Sequence, residues 1–136
     1  MIAGIKMQKE SLIHNQRIYI ALPKRLYDDE ILSRAISFLH SLKPFSIDDP
    51  RDMFASNIDW EKAFPNYLKI YDTVVIVTDN GFVGRGVHKE IEYFDRKKKP
   101  CYQYVERGKH QNILPVKALR IVNWNNWIDY AMVEYE

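Results

Sequence analysis

The chain has 136 residues, enough for one domain with one real core, and 46% apolar with 28% charged residues is a globular composition. A net charge of +2, from 20 basic and 18 acidic side chains, is too small to call for a polyanionic partner, so no nucleic-acid polymer is expected. With one cysteine, Cys101, no apolar run of membrane-spanning length and no signal-peptide core in MIAGIKMQKE, the expectation is a cytoplasmic protein that touches no membrane.

Residues 1–16 are mixed and polar, an arm or an added edge strand, and 17–136 form the domain. RIYIAL (17–22) is β-branched and apolar, a buried strand closed by Pro23. From Leu26 to Lys43 the period turns helical: Leu32, Ile36 and Leu39 share a stripe with Ile31, Ala35 and Leu42 beside it, and Pro44 stops it. FSI (45–47) is a short strand and 48–57 a loop. A helical segment lies within 59–71, either starting near Phe64 or kinked at Pro65. TVVIVT (73–78) is the clearest strand, apolar at four consecutive positions. GVHKEIEYFDRKKK (86–99) is a helix broken by Pro100, CYQYV (101–105) a strand and 106–117 a loop. ALRIVNW (118–124) is the last strand and 125–135 a C-terminal helix. Strands alternating with helices predict an α/β fold, a Rossmann-like three-layer sandwich of about five mostly parallel strands. Ligands of such sheets bind beyond the carboxyl ends of the strands, here the loops after Leu22, Thr78 and Val105.

Asp79-Asn80-Gly81 is a turn signal directly after the central strand. Gly84 and Gly86 let the backbone approach a ligand, and Arg85 is a forked donor for phosphate or carboxylate. The spacing G-x-x-G-x-G matches neither the dinucleotide fingerprint nor the phosphate loop of triphosphatases, and a plain strand-to-helix connection explains it equally well. Val87, Glu90, Ile91 and Phe94 then fall on one helix face, so a glutamate sits on an otherwise apolar stripe. Two uses stay open for Glu90: complementing the helix dipole, or serving a site as its carboxylate. Glu92 pairs with Arg96 and Asp95 with Lys98 or Lys99 on the bland reading of the same helix.

YIALP (19–23), YDTVVIV (71–77), GFVGRGVHKEIEYF (81–94), KKKPCYQYV (97–105) and IVNW (121–124) together resemble the nucleoside 2-deoxyribosyltransferase superfamily, which includes deoxynucleoside-monophosphate N-glycosidases. The resemblance implies a nucleoside or nucleotide ligand, no cofactor and no metal. It implies that Glu90 is the nucleophile on the anomeric carbon, and that Tyr19, Ala21 and Pro23 line the pocket. Asn80, Gly84, Arg85 and Gly86 join the substrate-binding set, while Asp72, before the central strand, is structural or near the site. A homodimer or larger homo-oligomer is implied, because the family completes its site from a neighbouring subunit. The chain departs from the pattern at Leu22, where glycine is common, and at Phe64 and Gly84, where aspartates are.

A carboxylate against C1′ suits a bond cleavage that builds positive charge on the sugar, and a helix N-terminus is expected to keep its pKa low. Lys24, Arg25 and Arg85, all in loops at the ligand end, favour a 5′-phosphate over a free nucleoside. His14, His40, His88 and His110 show no metal spacing; RKKK (96–99) is the basic last turn of a helix; Cys101 is a small core residue. Two function classes follow: cleavage or transfer at an N-glycosidic bond, including a Toll/interleukin-receptor-like NAD hydrolase, or non-catalytic nucleotide binding and sequestration.

Overall fold

The structure, a computed structural model, describes residues 12–54, 56–122 and 131–135. Strand β1 (Arg17–Ala21) is followed along the chain by α1 (Glu30–Ser41), β2 (Ser46–Asp48), α2 (Asn57–Ala63), β3 (Thr73–Ile76), β4 (Phe82–Val83), α3 (Arg85–Arg96), β5 (Cys101–Arg107), β6 (His110–Ile121) and β7 (Ala131–Tyr135). Short 3-10 turns occupy Lys24–Leu26, Pro50–Asp52 and Asn66–Leu68.

The fold is mixed α/β. Its seven strands lie in the order β2-β1-β3-β5-β6-β7-β4, parallel from β2 to β5 and antiparallel beyond. Ile18 to Ala21 and Val74 to Val77 are all buried, so both faces of the central strands are covered. Alternation sorts them. Ile18, Ile20, Val75 and Val77 meet Ile31, Leu32, Ala35 and Leu39 of α1 in one core. Tyr19, Ala21, Val74 and Ile76 meet Val87, Ile91 and Phe94 of α3 in the other.

Several boundaries differ from the sequence expectation, each for a local reason. Helix α1 begins at Glu30 because the Asp29 carboxylate accepts the Ile31 N–H at 2.9 Å. Helix α2 ends at Ala63, before the proline rather than starting at it or kinking over it. Phe64 is extended (ψ 135°), Pro65 follows through a cis peptide, and a separate 3-10 turn carries Asn66–Leu68. Helix α3 ends at Arg96, with Lys98 at φ 57°. Lys99 donates to the carbonyls of Tyr71 (2.7 Å) and Lys69 (3.3 Å).

The larger corrections lie after Val105. Residues 106–117 are not a loop: β5 runs to Arg107 and turns back at Gly108 (φ +60°) into β6, which pairs with it from His110 to Pro115. Strand β6 then changes partner, with a register shift between Val116 and Ala118 where it begins to pair with β7. The expected C-terminal helix is a strand where it is described: Ala131 and Val133 are buried and alternate with half-buried Met132 and Glu134, a period of two. Residues 125–130 of that expected helix lie outside the described residues, as do 1–11 of the expected arm or edge strand. Leu12–Gln16 is the end of a helical turn with Ile13 fully buried.

Strand β7 has one further partner. It pairs with β4, and the Val133 N–H donates to the Gly81 carbonyl at 2.9 Å. The antiparallel strands therefore close on the loop before α3, and Val83, Ala131 and Val133 share that helix's core. Among the described residues no helix is long and apolar enough to cross a membrane.

Candidate active site

Beyond the carboxyl end of β1, between the segment Leu22–Tyr27, residues of 50–61 and the start of α3, lies a cavity of about 590 Å³, and Glu90 is part of its wall. The residue is only 4% exposed, because α3 is buried on the broad face that carries Val87, Glu90, Ile91, Tyr93 and Phe94. A charge so placed must be hydrogen-bonded. The hydroxyls of Tyr19 and Tyr67 each donate to Glu90 Oε2 at 2.5 Å, and Trp60 Nε1 stands 3.5 Å from the same atom. Distances of 2.5 Å are those of O–H donors on a charged oxygen. All three groups converge on Oε2 and none of them on Oε1.

Two effects oppose each other on the carboxyl. Burial pushes it up, the hydrogen bonds from Tyr19, Tyr67 and Trp60 pull it down, and the result is a pKa of about 7. The expectation that the helix N-terminus keeps it low is corrected: Glu90 is the sixth residue of α3, past the first turn where the dipole acts. Burial, and then the charge of Glu90, drive the phenols of Tyr19 and Tyr67 far above their ordinary range, so both remain donors. Tyr27, also on the cavity wall, is pushed up to about 12 by burial, Glu90 and Asp49.

The rings hold one another. Tyr67 packs edge-on against Tyr19 (5.9 Å between centroids) and Phe54 (4.8 Å). Trp60 lies beside Phe64 at 5.2 Å and over the first turn of α3, where a Cβ on Gly86 would sit 4.0 Å from its ring. Leu22, Pro23 and Pro50 add apolar wall.

Of the expected site residues, Glu90, Tyr19, Pro23, Gly84, Arg85 and Gly86 are brought together around this cavity. Three are placed elsewhere. Ala21 is fully buried in the core of α3: it shares that face of β1 with Tyr19, but only the longer Tyr19 side chain reaches the cavity. Asn80 braces the turn: its carbonyl oxygen accepts the Phe82 N–H at 3.0 Å and faces Arg25 at 3.4 Å. Asp72 ties the starts of two strands, accepting the Arg17 N–H at 2.8 Å while its own N–H donates to the Arg17 carbonyl. That is the amino end of the sheet, so its role is structural. Positive φ occurs at Gly81 (+80°) in the turn, whereas Gly84 is extended.

Lys24, Arg25 and Arg85 all line the cavity, with Arg25 held to Asp79 at 2.7 Å. The loop after Val105, expected at the ligand end, contributes nothing to the wall. His88 meets Glu92 at 3.0 Å and stays off the cavity, so Glu92 pairs with His88 rather than with Arg96. Burial pushes the Cys101 thiol up to about 12, that of an inert core thiol. Among the described residues no group of His, Cys, Asp and Glu is arranged to hold a metal ion.

Sequence reasoning missed Tyr67 and Trp60 as partners of the carboxylate. A signal was present in the spacing of Trp60, Phe64, Tyr67 and Tyr71, four, three and four residues apart, an aromatic stripe broken only by Pro65. Comparison with protein families, with curated proteins and with solved structures gives no match.

Proposed function

We propose that the protein cleaves or transfers at the N-glycosidic bond of a nucleoside or nucleotide, with Glu90 attacking the anomeric carbon. The observation that carries this reading is a buried carboxylate on the wall of a ligand-sized cavity, with its donors gathered on one oxygen. Oε1 is then the attacking atom. As the C1′–N bond breaks, positive charge builds on the sugar ring, and an anion at Oε1 in a dry pocket lowers the barrier by about 3 kcal/mol. Tyr27, Phe54 and Trp60 offer faces for a base, and Lys24 and Arg85 offer positive charge for a 5′-phosphate. The fold belonging to this reading is a Rossmann-like sandwich extended by the antiparallel strands, working as a cytoplasmic homo-oligomer without cofactor.

The test is release of free base, followed by chromatography, from deoxynucleosides, their 5′-monophosphates and NAD. Base release from one of the first two classes is expected, and Glu90→Gln is expected to lower it on the order of a thousandfold while ligand still binds. Release from NAD alone would point instead to the NAD hydrolase reading.

One observation favours the second class, a protein that binds nucleotide without cutting it. Phe64 and Gly84 stand where relatives of the resembled family carry aspartates, and among the described residues the cavity's only carboxylate besides Glu90 is the exposed Glu61. Tight binding with no base released by the parent protein is the outcome that selects this reading.

A further inference from the structure

Tyr67 enters the site from outside the strand-and-helix frame that carries Tyr19 and Glu90. It sits on the 3-10 turn Asn66–Leu68, its ring fixed by Tyr19 on one side and Phe54 on another, and its hydroxyl reaches Oε2 at 2.5 Å. The two oxygens of Glu90 are therefore unequal. Oε2 takes both phenols and the long indole contact. Resting on the N-glycosidic reading, we propose that Tyr67 is a positioning residue that makes Glu90 a good leaving group. It presents Oε1 to the sugar and stabilises the carboxylate that must depart when the sugar is released.

The chemistry has two steps. In the first, Oε1 bonds to C1′ and the C1′–N bond breaks, its electron pair going to the base nitrogen, which takes a proton from water. In the second, a water oxygen bonds to C1′ and the C1′–Oε1 bond breaks, its pair returning to Glu90 while the water gives its proton to solvent. Between the steps Oε2 is an ester carbonyl, a weaker acceptor than a carboxylate oxygen. The Tyr67 hydrogen bond thus stabilises the carboxylate before attack and after departure more than it stabilises the ester between them. At a pH well above 7, where Glu90 is ionised with or without this bond, and with the Tyr19 hydroxyl still on Oε2, removing it leaves attack intact and slows departure.

Tyr67→Phe removes the hydroxyl and keeps the ring. Tyr71→Phe is the matched control: its hydroxyl donates to Asp48 at 2.8 Å and its ring lies 5.3 Å from Tyr19, but it makes no bond to Glu90. Rapid mixing with substrate is expected to show, for Tyr67→Phe, a burst of about one base per subunit. A steady rate about tenfold to a hundredfold below the parent's should follow. Mass spectrometry of the quenched protein should find the glycosyl group on the peptide containing Glu90. Tyr71→Phe should show neither. Linear release at the parent's rate, slower linear release with no adduct, or an equal burst in Tyr71→Phe each overturns the role of Tyr67. A parent protein that releases no base from any substrate overturns the N-glycosidic reading itself, and this role with it.

Discussion

The two helices of twelve residues that cover the sheet, α1 and α3, use the same strands in opposite ways. Helix α1 buries Ile31, Leu32, Ala35 and Leu39 and no polar group, and its start is closed by the Asp29 carboxylate. Helix α3 buries Glu90 among its apolar residues, and its start, at Gly84, has no side-chain cap and lines the cavity. One helix is built for cohesion alone. The other accepts a desolvated charge that the core does not require, a departure from good packing of the kind the proposed site calls for.

The largest expected effect breaks the comparison if it fails. Leu39→Ala, at a fully buried position of α1, should lower unfolding free energy by about 2–5 kcal/mol. On the N-glycosidic reading, base release per folded molecule should stay unchanged, because no residue of α1 itself lines the cavity. Urea melts alongside steady-state kinetics check this; a fall in kcat without a fall in stability would show that α1 is part of the site.

How much of this was legible in the sequence also divides by region. The parallel half was plain, because Val74 to Val77 and Ile18 to Leu22 are apolar without interruption and Pro23, Pro44 and Pro100 mark the ends. Strand β6 was legible only from Ala118, inside the expected strand 118–124; its first part was not, since His110–Lys117 buries only Ile113 and the alternation of half-buried and exposed residues changes phase between Val116 and Ala118, so only Gly108 betrayed the hairpin. Ala131–Tyr135 does alternate, but five residues behind an ambiguous stretch carry a weak signal against a helix. At the site, Glu90 was legible as a misfit on an apolar stripe. Its partners were not, because Trp60 and Tyr67 come 30 and 23 residues earlier and meet it only through tertiary packing.

A second effect, of about 3 kcal/mol, sharpens the contrast between the helices. The Glu90 carboxyl goes from 4.5 in its ordinary state to about 7 in the fold. Between those values the folded protein keeps a proton that the unfolded chain has lost, so stability declines as pH rises through this window. On the N-glycosidic reading, base release needs the anion and should rise with pH through about 7. In Glu90→Gln the decline in stability should vanish. Thermal melts at pH 5 and pH 8 read it directly, and an identical pH slope in parent and variant would mean the burial penalty falls on some other group.

The smallest effect concerns how each helix begins. The Asp29 cap satisfies the Ile31 N–H at 2.9 Å, so α1 needs nothing from a ligand, and Asp29→Ala should lower stability by about 1 kcal/mol. The same cap fixes where the segment from Pro23 to Tyr27, part of the cavity wall, gives way to helix. A modest rise in KM with unchanged kcat should therefore accompany the loss, since wall residues bind substrate while Glu90 and its phenols stay in place. If kcat fell instead, the start of α1 would have to be coupled to the carboxylate itself, and the separation between a cohesive helix and a working one would not hold.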